Sequence, residues 1–158
     1  MQERWNANMK VVIVGGVAGG ATAAARIRRL NEQAEIVVFE RSGYISYANC
    51  GLPYYIGDVI TDRSDLTLQT PESFFSRFHV NMKVRHEVTA IHPDKKTVSV
   101  KNLQTGEEFE ESYDKLILSP GSKPTQPRLP GLGLDKLFTL RTVEDTFPHQ
   151  GLHQYKPS

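Results

Sequence analysis

Cys50 is the only cysteine in the sequence and its strongest candidate nucleophile. It follows a polar, turn-prone loop at residues 41–47, and the segment at residues 48–56 predicts a short helix with Cys50 in its first turn. The positive end of a helix dipole favours the thiolate, which is the reactive form of cysteine. A lone cysteine is also commonly a small buried hydrophobic residue, so the residue types alone leave its role open.

A glycine-rich turn is the second feature that could do chemistry. Residues 15–20 contain four glycines and stand between a β-branched run, Val11–Val14, and a helix-forming stretch at residues 21–30. A second apolar run at residues 35–39 ends in Glu40. A helix N-terminus binds a pyrophosphate, and glycines let the backbone approach it closely. Glu40 is placed to accept hydrogen bonds from ribose hydroxyl groups and to repel an additional phosphate on that ribose.

The glycine spacing matches the dinucleotide-binding fingerprint imperfectly. If Gly15 is the first glycine and Gly20 the third, Val17 occupies the middle position. A glycine-rich turn that only packs a helix on a sheet is the alternative, but the preceding strand, the following helix and the acidic residue favour a dinucleotide site. The residues expected at the pyrophosphate are Gly15, Gly16, Val17, Ala18, Gly19 and Gly20.

Composition limits the other functional classes. The chain has 158 residues, enough for one domain with a core, and its formal net charge of +1 gives no reason to expect nucleic acid or an anionic membrane as a partner. One cysteine excludes an intramolecular disulfide framework and fits a reducing cytoplasm. The glycines also interrupt the early apolar run, so no targeting or membrane segment is expected.

The remaining pattern predicts an α/β fold, a Rossmann-like domain with a parallel sheet and an inserted three-stranded antiparallel β-meander. Residues 80–84 and 115–118 are typical of further parallel strands, and residues 87–113 of three short strands joined by turns. Between them, His79, His86 and His92 are spaced irregularly, so no metal site is expected.

One further helix is predicted after Thr70, which caps it, with Pro71 as its first residue. Phe74, Phe75 and Phe78 are expected to anchor this helix in the core.

The ends of the chain have a different character. Residues 1–9 show no periodicity and are expected to form a disordered extension before a domain at residues 10–122. Residues 123–158 are expected to form a linker and the start of a further connection, with a short helix at residues 142–145. The linker prediction rests on the five Gly and Pro residues Pro124, Pro127, Pro130, Gly131 and Gly133.

Two motifs, at residues 11–30 and 46–56, closely resemble those of coenzyme A disulfide reductases. These enzymes belong to the single-cysteine branch of the FAD-dependent pyridine nucleotide–disulfide oxidoreductases, with NADH oxidases, NADH peroxidases and persulfide reductases as relatives. The resemblance continues through residues 69–74, 113–121 and 140–145. It implies that residues 10–122 form a domain for FAD, and that NAD(P)H reduces the flavin, which passes electrons to Cys50. It also implies a cytoplasmic homodimer acting on coenzyme A disulfide or a related low-molecular-weight disulfide or persulfide.

The resemblance also implies roles for individual residues. Cys50 is the redox nucleophile. Besides the glycine turn, the residues expected to contact FAD are Glu40, Arg41, Asn49, Val88, Ser119, Pro120 and Gly121. The residues expected to contact coenzyme A are Thr22, Arg26, Arg29, Ser46 and Asn49. Arg26 departs from the pattern, because some members carry Gln there.

Coenzyme A disulfide reduction has alternatives within the same family and one alternative from another class. NADH-dependent persulfide or polysulfide reductases and NADH oxidases share the same motifs. In this family a second glycine-rich fold for NADH follows, so the chain is expected to be an incomplete N-terminal part without turnover of its own. A non-catalytic nucleotide-binding fragment is the alternative from another class.

Overall fold

The computed structural model describes residues 8–125, 129–130 and 137–147. Within them the elements follow in the order β1 (Lys10–Val14), α1 (Ala18–Leu30), β2 (Glu35–Glu40), α2 (Leu52–Ile56), α3 (Pro71–Phe78), β3 (Asn81–Val84), β4 (His86–His92), β5 (Thr97–Asn102), β6 (Glu108–Ser112) and β7 (Lys115–Leu118). Short 3-10 helices at Asn49–Gly51 and Arg63–Leu66 flank α2.

The chain divides into two compact units. The first unit consists of the described residues within Met1–Tyr47 together with Thr67–Pro120. The second unit consists of Ala48–Leu66 together with the described residues within Gly121–Ser158. The segment that carries Cys50 therefore groups with described residues that follow Pro120.

The first unit is built on a four-stranded sheet in the order β3-β2-β1-β7, in which every neighbouring pair is parallel. The central strands β1 and β2 are apolar runs, as expected where both faces of a parallel sheet are covered. In the register of the sheet, Val12 of β1 lies opposite Val37 of β2 and Leu116 of β7. The predicted parallel sheet is confirmed.

Side chains of β1 and β2 alternate between two buried clusters on opposite faces of the sheet. One cluster joins Ile13 and Val38 to apolar residues of α1 and α3. The other joins Val12 and Phe39 to Val100 of β5. The sheet is thus covered by helices on one face and by the meander on the other.

The meander is a three-stranded antiparallel sheet in the order β4-β5-β6, inserted between the parallel strands β3 and β7. The register of β4 on β5 shifts between Val88 and Ala90, which is the mark of a β-bulge. The predicted α/β fold with an inserted three-stranded β-meander is confirmed.

The aromatic residues of α3 do not all face the core. The helix begins with a capping box, in which the Thr70 hydroxyl accepts from the Ser73 amide at 3.2 Å and the Ser73 hydroxyl accepts from the Thr70 amide at 2.9 Å. Phe74 is buried and its ring lies 4.7 Å from that of Phe78. Phe75 is 53% exposed, so the prediction that it anchors the helix is wrong. Phe74 and Phe78 are four residues apart and share one face of the helix, whereas Phe75, one residue after Phe74, points about 100° away from that face.

Arg28 joins the C-terminal ends of α1 and α3. Its guanidinium donates to the carbonyl oxygens of Phe78 at 2.8 Å and His79 at 2.9 Å, and also to that of Glu32 at 2.5 Å. Helix C-termini carry unpaired carbonyl groups, which a cation satisfies. Arg28 therefore has a structural role.

Met9 does not fit the prediction of a disordered extension over residues 1–9. Met9 is 6% exposed, and its carbonyl oxygen accepts a hydrogen bond from the Glu35 amide at 3.0 Å. Met9 therefore belongs to the folded first unit, while residues 1–7 lie outside the described part of the chain.

The second unit contains turns more than regular structure. The predicted helix at residues 142–145 is a 3-10 turn at residues 144–147. Asp145 Oδ2 accepts from the amides of Arg141 at 2.8 Å and Thr142 at 2.7 Å, which fixes the start of this turn. Of the predicted linker, the described prolines Pro124 and Pro130 are exposed outside helices and strands, whereas Pro127, Gly131 and Gly133 lie outside the described residues.

Two kinds of feature are absent from the described residues. No helix among them is long and apolar enough to cross a membrane. No three or more of their His, Cys, Asp and Glu side chains group so as to hold a metal ion. Two of the histidines have other contacts, because His86 Nδ1 lies 2.7 Å from the Val84 carbonyl oxygen and His92 Nε2 lies 2.9 Å from Ser99 Oγ.

Candidate functional site

Gly15 makes the sharp turn between β1 and α1. Its φ of +96° lies in a region that residues with a side chain rarely adopt. Its amide donates to the Phe39 carbonyl oxygen at 2.8 Å, which ties the turn to the end of β2. A Cβ added at Gly15 would lie 2.0 Å from the Ser119 carbonyl oxygen, so only glycine fits here.

Gly20 lets the first turns of α1 pack directly against this loop. A Cβ at Gly20 would lie 1.7 Å from the Gly15 carbonyl oxygen. Val17, at the middle position of the fingerprint, has a φ of −90°, which does not require glycine, and this explains why the imperfect fingerprint still forms the turn. The helix has no side-chain cap at Val17 and no acidic residue in its own first turn, but the Glu40 carboxylate lies beside its positive end, where it accepts a hydrogen bond from the Gly16 amide.

Glu40 lies at the C-terminal end of β2, beside the glycine turn. Its Oε2 accepts from the Gly16 amide at 2.7 Å, and its Oε1 accepts from the Ser42 amide at 2.8 Å. These two bonds fix the direction of the carboxylate. Because an ionised carboxylate has about four acceptor positions, it keeps the capacity to accept from ribose hydroxyl groups.

The turn after β7 meets the same loop. The Ser119 amide donates to the Val14 carbonyl oxygen at 2.8 Å, and the Ser119 hydroxyl lies where a Cβ on Gly19 would be only 2.3 Å away. The structure thus brings the glycine turn, Glu40 and Ser119 together at the carboxyl ends of parallel strands, where open sheets bind ligands. Pro120 follows as an exposed residue, and Gly121 begins the second unit.

Arg41 and Val88 lie near the first strand of the meander. Arg41 is exposed, and its Nη1 lies 3.6 Å from Glu87 Oε1. Val88 lies in β4, and its partly buried side chain packs against the cluster that contains Val12 and Phe39.

The residues expected to contact coenzyme A are partly grouped. Thr22, Arg26 and Arg29 are exposed and share one face of α1, because they are spaced by four and three residues. Ser46 lies beside the glycine turn, with its amide donating to the Gly16 carbonyl oxygen at 3.3 Å and a φ of +47°. All four residues belong to the first unit, whereas Asn49 belongs to the second.

Cys50 is an exposed free thiol. It lies within the 3-10 helix Asn49–Gly51, which continues directly into the five-residue α2, so Cys50 is in the first turn of a helical segment, as predicted, although this turn is 3-10 and not α-helical. Its exposure contradicts the alternative of a small buried hydrophobic residue. Gly51 is buried, and a Cβ there would lie 3.0 Å from Leu66 Cδ2, so tight packing holds the turn that presents Cys50.

Sequence reasoning missed Arg141. Its Nη1 donates to Asn49 Oδ1 at 3.1 Å, and its Nε donates to the Ser122 carbonyl oxygen at 3.2 Å. The only signal in the sequence was that Arg141 falls within one of the segments that resemble the family, which says nothing of its partner.

Known proteins match this chain over most of its length. The sequence profile described as pyridine nucleotide-disulphide oxidoreductase matches residues 9–151. A coenzyme A disulfide reductase from Staphylococcus aureus is 51% identical over 137 residues, which cover 87% of this chain and 31% of the relative. The chain therefore spans about a third of the curated relatives that it matches.

Solved structures match equally well. Reduced CoADR-RHD from Bacillus anthracis superposes with a TM-score of 0.90 at 51% identity, covering 96% of this chain and 27% of that one. An NAD-dependent persulfide reductase from A. fulgidus superposes with a TM-score of 0.85 at 31% identity, covering 92% of this chain and 27% of that one. The chain belongs to the pyridine nucleotide-disulphide oxidoreductase family.

Proposed function

We propose that this chain forms the FAD-binding and cysteine-bearing part of an enzyme that reduces coenzyme A disulfide with NAD(P)H. The observation that carries the proposal is the exposed thiol of Cys50 in a chain that is 51% identical to a coenzyme A disulfide reductase. The free thiol also fits a reducing cytoplasm. The homodimer that the resemblance implies stays a prediction.

The residues of the first unit fit the FAD pyrophosphate and ribose. The N-terminus of α1 supplies amide donors and a positive dipole for the pyrophosphate, and the four glycines among residues 15–20 allow the tight turn that leads into it. Glu40, already oriented by two backbone amides, accepts from the ribose hydroxyl groups. Further contacts in this unit are expected from Arg41, Val88, Ser119 and Pro120. Bound FAD would supply the electron pair that NAD(P)H delivers.

The chemical step of this chain is a thiol–disulfide exchange. The Cys50 thiolate attacks one sulfur of coenzyme A disulfide, the substrate S–S bond breaks, and a Cys50–coenzyme A disulfide forms while one coenzyme A thiolate leaves. The phosphates of coenzyme A are expected to bind Arg26 and Arg29, whose guanidinium groups match phosphate geometry. Thr22, Ser46 and Asn49 supply neutral donors.

A persulfide or polysulfide reductase is the second candidate, because the A. fulgidus persulfide reductase has a similar fold. Inorganic polysulfide is small and lacks the phosphates that an arginine face would bind. The exposed Arg26 and Arg29 therefore favour coenzyme A disulfide over inorganic sulfur species.

The first test is stoichiometric and needs only the purified chain. The reduced protein is mixed with coenzyme A disulfide, bis(2-hydroxyethyl) disulfide or sodium polysulfide, and adducts on Cys50 are followed by intact-protein mass spectrometry. We expect coenzyme A disulfide to react at least tenfold faster than the hydroxyethyl disulfide. Equal rates for the two disulfides would contradict the proposed substrate, and a faster reaction with polysulfide would support the second candidate.

The second test addresses turnover. Residues 9–145 replace the matching segment of the S. aureus coenzyme A disulfide reductase, and the chimera is assayed for bound flavin and for NAD(P)H oxidation that depends on coenzyme A disulfide. A matched Cys50→Ser chimera should bind flavin without turnover. A chimera that binds flavin but turns over neither coenzyme A disulfide nor polysulfide would favour a non-catalytic nucleotide-binding module.

A further inference from the structure

The contact between Arg141 and Asn49 lies next to the proposed nucleophile. Arg141 Nη1 donates to Asn49 Oδ1 at 3.1 Å across 92 positions of sequence. Asn49 and Cys50 are neighbours in the 3-10 helix Asn49–Gly51. All three residues belong to the second unit, so the arrangement is local to it.

The chemistry of the pair determines which way the Asn49 amide points. A guanidinium only donates hydrogen bonds, so the amide oxygen must face Arg141 and the amide NH2 group must point elsewhere. Asn49 is exposed, so this NH2 group is accessible to an acceptor from solution. Arg141 thereby turns Asn49 into a hydrogen-bond donor with a fixed direction.

Arg141 is itself held in place. Its Nε donates to the Ser122 carbonyl oxygen at 3.2 Å, and its amide donates to Asp145 Oδ2 at 2.8 Å. Gly121 has a φ of +71°, and a Cβ there would lie 3.3 Å from Arg141 Nη2, so this glycine leaves room for the guanidinium. A donor oriented before the ligand arrives loses less entropy on binding.

We propose that Arg141 is a positioning residue. It holds the side-chain amide of Asn49 so that the Asn49 NH2 group donates a hydrogen bond to an oxygen in the coenzyme A part of the disulfide substrate that Cys50 attacks. The substrate in this inference rests on the proposed function, whereas the orientation of Asn49 does not. Because the bond is to the coenzyme A part of the substrate, Arg141 contributes to substrate preference and not to the intrinsic reactivity of the thiol.

The kinetic test compares adduct formation on Cys50 with coenzyme A disulfide and with bis(2-hydroxyethyl) disulfide in the 158-residue chain. Arg141→Met should slow the reaction with coenzyme A disulfide about five- to tenfold, which is the usual effect of losing one oriented hydrogen bond, and leave the hydroxyethyl disulfide within twofold. Arg77→Met, which removes an exposed arginine of α3, is the charge-matched control and should alter neither rate.

Asn49→Asp keeps the acceptor for Arg141 and removes the NH2 donors, so it tests the role without breaking the contact. It should keep the wild-type unfolding midpoint and lose the preference for coenzyme A disulfide. In the Asn49→Ala background, adding Arg141→Met should not change the preference for coenzyme A disulfide any further, since both substitutions act through the Asn49 amide. Retained preference in Arg141→Met, together with its loss in Asn49→Ala, would overturn the proposal.

A direct measurement separates the proposal from the proposed function. In ¹⁵N-labelled protein, the side-chain NH2 signals of Asn49, assigned by their absence in Asn49→Asp, should shift and broaden in Arg141→Met but not in Arg77→Met. Unchanged signals would refute the positioning role. If the signals shift while wild type shows no preference for coenzyme A disulfide, the substrate assignment fails, and with it the claim that the oriented amide serves that substrate.

Discussion

Replacing Gly20 with alanine tests whether α1 must contact the glycine turn directly. A Cβ at this position would lie 1.7 Å from the Gly15 carbonyl oxygen and 3.2 Å from Ile13 Cγ2. The first clash is with the backbone of Gly15. The hydrogen bond from the Gly15 amide to the Phe39 carbonyl oxygen holds this backbone in place, so the helix must move away from β1.

The expected magnitude follows from two opposing effects. Alanine in place of glycine inside a helix stabilises it by about 1 kcal/mol. Overpacking against atoms that cannot relax costs about 3 kcal/mol. The free energy of unfolding of Gly20→Ala should therefore fall by about 2 kcal/mol, which lowers the melting temperature by about 4–8 °C for a chain of this size.

Gly19→Ala is the matched control because it gains the same helix propensity at the neighbouring position. There the nearest atom to the added Cβ is the Ser119 hydroxyl at 2.3 Å, which rotates away at little cost. Its stability should stay within about 1 kcal/mol of wild type. Urea unfolding followed by circular dichroism measures both variants, and equal stabilities of Gly20→Ala and Gly19→Ala would refute the packing argument.

Four further predictions test the site and the fold. In the chimera, Cys50→Ser should abolish NAD(P)H oxidation that depends on coenzyme A disulfide while flavin stays bound; retained turnover would remove Cys50 from the mechanism. Glu40→Gln should weaken FAD binding about tenfold in a fluorescence titration, because an ionised carboxylate accepts hydrogen bonds from hydroxyl groups more strongly than an amide oxygen does. An unchanged affinity would exclude the ribose role. Phe74→Ala should lower the free energy of unfolding by about 3–5 kcal/mol and Phe75→Ala by less than about 1 kcal/mol, and similar losses would contradict their different burial. Hydrogen bonds to two glutamates, chiefly Glu111 and also Glu35, raise the pKa of Lys10 above 10.5. This stabilisation is present below pH 10.5 and is lost as the pH rises through the raised pKa. The free energy of unfolding of Lys10→Met should therefore fall less than that of wild type between pH 10 and 12. Identical dependences of stability on pH would argue against a stabilising role of these ion pairs.

The sequence predicted the order and type of the elements because those signals are local. A β-branched run before a glycine turn and an alanine-rich stretch after it identify β1 and α1 without any tertiary contact. The capping of α3 by Thr70 was equally readable. The prediction for Phe75 was wrong because it considered only the residue type and not which face of the helix the residue occupies. The four-residue spacing of Phe74 and Phe78 already indicated that these two share the buried face.

The chemistry of the candidate site was also present in the sequence, as one thiol, a glycine turn and an acidic residue at the end of a strand. The roles of these residues toward FAD and coenzyme A stay predictions. Their exposure and orientation were not in the sequence, because both depend on atoms brought from distant segments. The two amides that fix Glu40 and the packing that presents Cys50 are examples.

By itself, the sequence determined which elements form, and so the α/β class and the residue types available for chemistry, because hydrophobic period, helix propensity and turn residues act over a few neighbours. Only the tertiary structure decided that Gly15 meets Ser119 and that Arg141 meets Asn49. Such contacts follow from the packing of the whole chain, and no local pattern encodes which donor will lie opposite which acceptor.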